Sequence, residues 1–147
     1  MNKENNEKFW KYYERFHSRK MKISDVIKMV NPDNKKLAGA AHSYNKWKNI
    51  VDKKIPIYYY AKLCGMCYST GSIFCAGCPL YDCDYVCSVR NEKSYWKKIN
   101  DVVLNKTNPG RNFTKSEQRS LEILSRKMLN TIKKCCSKYY GISFKNR

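Results

Sequence analysis

The stretch TKSEQRSLEILSRKMLNTIKKCCSKYYG, residues 114–141, contains the clearest helix signal of the chain. Thr114 and Glu117 have the spacing of a capping box, in which the threonine side chain accepts from a backbone amide and the glutamate side chain reaches back. The helix that follows can run to Tyr139, and Gly141 is available to end it. Apolar residues at three- and four-residue intervals predict one buried face: Leu121, Leu124, Met128, Ile132 and Cys135.

A second helix is predicted near the N-terminus, because no Pro or Gly interrupts the chain from Lys3 to Arg19. The aromatic residues of this helix form a stripe that consists of Phe9, Tyr12, Tyr13 and Phe16. We interpret the stripe as facing the core rather than stacking on bases. Trp10 lies beside the stripe and is the expected exception to core packing.

Further helices are predicted between these two. A short one begins at Ser24 and includes Val26, Ile27 and Val30, and the turn signature at residues 31–34 ends it. The next helix runs from Asp33 or Asn34 to Asp52. Two helices joined by a turn can resemble a helix-turn-helix, although nothing here identifies a recognition helix. The residues expected on the core face of the longer helix are Leu37, Ala38, Ala41, Tyr44, Trp47 and Val51.

Residues 55–60 are β-prone and predict a short strand or an extended segment. After Cys87 the pattern becomes helical again through Tyr95 and Ile99, until the turn signature at residues 108–110.

The middle of the chain contains two Cys-x-x-Cys pairs, which is the pattern of a structural zinc site. Cys64, Cys67, Cys75 and Cys78 are the first candidates for the four ligands. Cys83 and Cys87 follow closely, so that one of them could replace Cys75, or all six could hold two metal ions. An iron–sulfur cluster is the less favoured alternative, since none of the familiar ferredoxin spacings is present. Cys135 and Cys136 lie in the last predicted helix and are expected to be core thiols.

Charge separates the chain into three segments. Residues 1–54 hold 14 basic and 6 acidic side chains, residues 55–90 hold 2 and 2, and residues 91–147 hold 14 and 4. The total of +18 points to a polyanionic partner such as RNA or DNA, or to an acidic protein surface. We therefore expect residues 1–54 and 91–147 to form two basic arms. The neutral cysteine module, residues 55–90, is expected to hold the two arms in fixed positions relative to each other.

The sequence contains little that would indicate an enzyme. His17 and His42 are the two histidines, and neither lies in a zincin pattern or a nuclease-like cluster. Asp82 and Asp84 form a close acidic pair, and there is no glycine-rich phosphate loop. We therefore expect a protein that is not an enzyme.

The run from Trp47 through the two Cys-x-x-Cys pairs to Tyr95 resembles small uncharacterised cysteine-motif proteins of bacteriophages and bacterial mobile elements. Its most specific part is Cys75-Ala76-Gly77-Cys78-Pro79. The chain differs from that pattern in having both Cys83 and Cys87, and in lacking a Thr-Pro after the last cysteine. The resemblance implies a phage-borne accessory protein and no particular reaction.

These observations predict a mainly α-helical single domain, residues 1–147, with a central zinc-stabilised loop or short-strand module. No membrane-spanning run or signal peptide is visible, so we expect the cytoplasm of a bacterial host cell. The expected function is non-enzymatic binding of nucleic acid. The alternative is a phage inhibitor of a host defence or host enzyme, of the anti-CRISPR type, that binds a protein or ribonucleoprotein. The candidate contact residues are Lys46, Lys48, Arg111, Arg119, Arg126, Lys127, Lys133, Lys134 and Lys138.

Overall fold

The described part of the protein is helical. The computed structural model describes residues 2–19, 35–52, 95–104 and 113–145. The helices in these ranges are α1 (Lys3–Arg19), α2 (Lys35–Val51), α3 (Tyr95–Leu104) and α4 (Lys115–Tyr140). No strand occurs in the described ranges, which confirms the mainly α-helical class for this part of the chain.

Several predicted elements lie outside the described residues. They are the short helix at Ser24–Val30, the extended segment at residues 55–60, the cysteine module and the turn at residues 108–110. The predicted bounds of α1 are confirmed, and those of α2 and α4 are confirmed to within one or two residues. The helical pattern predicted through Tyr95 and Ile99 is confirmed by α3.

α4 begins and ends where local chemistry requires. Thr114 has extended backbone angles, and its Oγ1 accepts from the Glu117 amide at 3.1 Å. The Thr114 amide in turn donates to Glu117 Oε1 at 2.9 Å, which completes the capping box. Gly141 ends the helix in the left-handed region, with φ 69° and ψ 31°, and its amide donates to the Ser137 carbonyl at 3.1 Å.

α2 is the most deeply buried helix. Its predicted core face is confirmed, with Trp47 and Tyr44 almost fully buried, but Ala40, Ser43 and Asn45 on other sides of the helix are buried as well. α2 packs against both α1 and α4, and these two helices cover it on two sides. α3 packs against α4. Small side chains at residues 38–41 suit such close packing of a helix between two others.

The core contains an aromatic cluster in which α1, α2 and the segment after α4 meet. Phe9, Trp10, Tyr13, Tyr44 and Phe144 lie with neighbouring ring centroids 5.0 to 5.9 Å apart. The expectation that Trp10 is exposed was wrong, because only 5% of it is accessible. The residues after α4 fold back onto α1 and place Phe144 against the indole, a contact that helical periodicity within α1 does not reveal.

The two ends of the chain are joined by hydrogen bonds. The Asn2 amide donates to the Gly141 carbonyl at 2.9 Å, and Asn5 Nδ2 donates to the Tyr140 carbonyl at 3.1 Å. Asn6 Oδ1 accepts from the Ser143 amide at 2.9 Å. These bonds satisfy backbone groups at the C-terminal end of α4 and fix the start of α1 against it.

Candidate nucleic-acid interface

The surface of α4 divides into a buried and an exposed side. The buried side includes Leu121, Met128, Ile132 and Cys135 of the predicted seam, and Leu124 is half-buried. Because successive residues of a helix are turned by about 100°, these positions place the exposed arc on the opposite side. Arg119, Arg126, Lys127, Lys134 and Lys138 are all exposed, and Lys133 is half-buried at the edge. The prediction that the basic residues of this helix lie off its apolar seam is confirmed.

The basic residues form two rows along the exposed side. The arginine row consists of Lys115, Arg119, Arg126 and Lys133, and the lysine row consists of Lys127, Lys134 and Lys138. On a regular helix the centres of the two rows are about 100° apart around the axis. The two rows therefore flank the exposed arc rather than fill its centre.

Acidic side chains do little to balance this charge. α4 contains seven basic residues against Glu117 and Glu122. Glu117 takes part in the capping box at the start of the helix. Glu122 is exposed and lies on the outer flank of the arginine row. The middle and the end of α4 therefore present an excess of positive charge to solvent.

Aromatic rings lie beneath two members of the lysine row. Lys127 Nζ is 5.7 Å from the Tyr95 ring centroid of α3, and Lys138 Nζ is 5.6 Å from the ring of Tyr139. Such contacts are worth about 0.5–1 kcal/mol at exposed sites and hold the ammonium groups in place without neutralising them. α3 thereby supports the lysine row from the side.

α1 differs from α4 in its charge balance. Its five basic residues stand beside three acidic ones. Lys8 Nζ donates to Glu4 Oε1 at 2.9 Å, and this lysine lowers the pKa of the Glu4 carboxyl through the hydrogen bond and its charge. α1 is thus the weaker candidate for a polyanion contact, and α4 is the stronger.

The remaining sequence candidates have different positions. Lys46 is 3% exposed, with its Nζ 5.3 Å from the Trp47 ring centroid, so it lies in the packed interior rather than on an exposed face. Lys48 on α2 is half-buried. Arg111 lies outside the described residues. The same is true of all candidate metal ligands: Cys64, Cys67, Cys75, Cys78, Cys83 and Cys87.

Cys135 and Cys136 are both buried with no accessible surface, as expected of core thiols. Within the described ranges, no group of three or more His, Cys, Asp or Glu side chains could hold a metal ion. No helix in these ranges is both long and apolar enough to cross a membrane.

Sequence reasoning missed two residues at the centre of the exposed arc. Ile123 is 47% exposed, and Asn130 is exposed two turns further along α4. Both lie between the arginine row and the lysine row. Their positions off the apolar seam were the available signal, since an aliphatic side chain opposite a core face has no packing role.

No protein-family model, no curated protein and no solved structure matches this chain.

Proposed function

We propose that this protein binds the phosphate backbone of nucleic acid through the exposed face of α4 and does so without catalysing a reaction. The observation that supports this best is the separation of the two sides of α4. One side is buried in the core, which fixes the helix, and the other presents two rows of cations with few acids among them. Lys and Arg at fixed positions neutralise phosphates and release counterions, which supplies affinity that depends on salt.

The proposal includes the central cysteine module as a zinc site that shapes the fold. Its support is the spacing of Cys64, Cys67, Cys75 and Cys78 in the sequence. Zinc bound by thiolates stabilises the folded chain directly, because no pre-formed site exists when the chain is unfolded. We expect one zinc ion per chain in elemental analysis of the purified protein. Two ions per chain would favour a cluster that includes Cys83 and Cys87.

The test of the binding function is the salt dependence of affinity. If about five side chains of α4 contact phosphates, log K for duplex DNA falls with log salt at a slope of about −4 to −5. That slope corresponds to a loss of several hundred-fold between about 50 and 200 mM salt. Fluorescence anisotropy with labelled duplex DNA, duplex RNA and single strands measures it. Absence of binding to all of them, or affinity that does not change with salt, would refute the proposal.

A pair of matched variants separates the face of α4 from general positive charge. Arg126→Glu combined with Lys134→Glu changes one cation in each row, and both residues are exposed. Lys3→Glu combined with Lys11→Glu makes the same change in net charge on exposed positions of α1. We expect the α4 variant to reduce the magnitude of the salt slope by about 2, and the α1 variant to leave it nearly unchanged.

The alternative is an inhibitor of the anti-CRISPR type from a bacteriophage, whose basic face would bind an acidic protein patch or the RNA of a ribonucleoprotein. Purified nucleic acids would then bind weakly. A defined host protein retained after nuclease treatment, and lost with Arg126→Glu and Lys134→Glu, would favour this alternative over direct binding of nucleic acid.

A further inference from the structure

We propose that α4 binds in the major groove of duplex DNA, where Ile123 and Asn130 contact base edges while the arginine row and the lysine row contact the two opposite backbones. This inference rests on the proposed function and specifies its ligand. It follows from the arrangement of charge around α4, from the side chains between the rows, and from the absence of an exposed aromatic ring on the face of α4 that carries the two rows.

The separation of the two rows matches the shape of a groove. An α-helix with its side chains is about 10–12 Å across, and the major groove of B-form DNA is about 12 Å wide. A helix lying in that groove has one phosphate backbone on each side. The two rows of basic residues lie about 100° apart around the axis, so each would flank one of these backbones, with Lys138 turning from the Tyr139 ring to the phosphates. A helix lying across a single strand would need only one row.

The strip between the rows carries side chains suited to bases rather than phosphates. Asn130 can donate to and accept from an adenine edge at the same time, and an aliphatic group such as Ile123 can contact the thymine methyl. These residues are seven positions apart, which is about 10.5 Å along the helix axis, or about three base pairs of DNA. Ile123 is 47% exposed, so its side chain is accessible to a ligand that contacts this face.

Other forms of nucleic acid fit this face less well. The major groove of an RNA duplex is deep and narrow, and side chains cannot read it. Single strands are held by stacking of bases on aromatic rings. Tyr139, at 43%, is the exposed aromatic of α4, and it lies about 120° from the nearer row. The described face of α4 thus offers cations and a central strip but no stacking platform.

One acidic residue borders the proposed contact. Glu122 lies on the outer flank of the arginine row, where a carboxylate would approach a phosphate of the backbone on that side. Glu122→Gln removes this repulsion. We expect this variant to bind duplex DNA more tightly, by about threefold to tenfold at low salt, which is a gain that an unfolded or damaged protein could not produce.

The decisive experiment combines selection with chemical interference. Duplexes with a randomised centre of about one helical turn are selected for binding, and the selected site is then compared with a scrambled duplex and with the RNA duplex of the same sequence. We expect binding to the selected DNA to exceed binding to the RNA duplex by at least about tenfold. Replacement of adenine by 7-deazaadenine, which removes the N7 acceptor from the major groove, is expected to interfere within the selected site.

Variants of the central strip identify the residues that read the bases. Asn130→Ala is expected to reduce the preference for the selected site over the scrambled duplex by about tenfold, while the salt slope stays the same. Replacing thymine by uracil in the selected site removes the methyl group, and Ile123→Ala should abolish the effect of that replacement. Gln118→Ala, at an exposed position of α4 about 75° outside the centre of the arginine row, is the control.

The possible outcomes distinguish this inference from the proposed function. Salt-dependent binding that shows no preference for duplex DNA and no interference from 7-deazaadenine would overturn the groove geometry and leave the proposed function standing. Equal or tighter binding to RNA would do the same. Absence of binding to every nucleic acid would refute both.

Discussion

Substitution of Gly141 is expected to destabilise the protein more than any exposed change in α4. A Cβ atom at this position would lie 2.6 Å from the Asn2 backbone nitrogen and 2.7 Å from Asn2 Cβ. The backbone of Gly141 is also left-handed, with φ 69°, a conformation that costs an L-residue about 1–2 kcal/mol. Any shift that relieves the close contact stretches the hydrogen bond from the Asn2 amide to the Gly141 carbonyl, which is 2.9 Å long.

The magnitude follows from these contributions. Left-handed strain of about 1–2 kcal/mol and a weakened hydrogen bond of about 0.5–1.5 kcal/mol place the loss for Gly141→Ala at about 1.5–3.5 kcal/mol. For a chain of this size that corresponds to a fall of roughly 5–15 °C in Tm. Urea denaturation followed by circular dichroism measures the free energy of unfolding.

Two further variants test the causes of the destabilisation by Gly141→Ala separately. Asn tolerates left-handed angles better than Ala but has the same Cβ, so Gly141→Asn should recover about 1 kcal/mol and no more. Ser120→Ala, on the exposed side of α4, should change the free energy of unfolding by less than about 0.5 kcal/mol. A loss for Gly141→Ala of under about 0.5 kcal/mol would contradict the close contact between Gly141 and Asn2.

Three more predictions concern the N-cap of α4, the phenol of Tyr13 and the two buried thiols of α4. Thr114→Ala should cost about 1 kcal/mol of stability, whereas Thr114→Ser should keep the capping box, and urea denaturation of both measures the difference. Burial, with a smaller contribution from the Asp52 carboxylate, raises the pKa of Tyr13. Its contribution to stability is therefore complete below about pH 10 and is lost as the pH rises through the folded pKa, so that Tyr13→Phe should show a shallower fall in urea midpoint above pH 10. Cys135 and Cys136 should stay unreactive toward a thiol reagent in the native protein, and rapid labelling of either would contradict their burial.

Local sequence accounts well for the helices. The capping box at Thr114 and the terminator at Gly141 act within a few residues of themselves, so the bounds of α4 could be predicted without knowledge of the rest of the chain. The exposed position of Arg119 and Arg126 could be predicted in the same way, because helical periodicity places them opposite Leu121 and Met128.

Helical periodicity predicted the wrong exposure for residues of helices that pack against more than one neighbouring element. Trp10 is buried because Phe144, more than 130 residues later, packs on its ring at a centroid distance of 5.6 Å. Lys46 lies on a helix that packs against both α1 and α4, and it is buried although its position off the apolar face predicted exposure. A one-helix pattern shows which side prefers the core, but it does not show how many neighbours the helix has.

The sequence by itself determined the helical character of the described chain, the limits of α4 and the excess of positive charge on that helix, since these depend on neighbours within a few residues. The tertiary structure decided the rest. It joined Asn2, Asn5 and Asn6 to the end of α4 and the segment after it, and it buried Trp10 and Lys46. Contacts between residues far apart in the chain depend on how helices pack, and packing is set by the shapes of all the faces together.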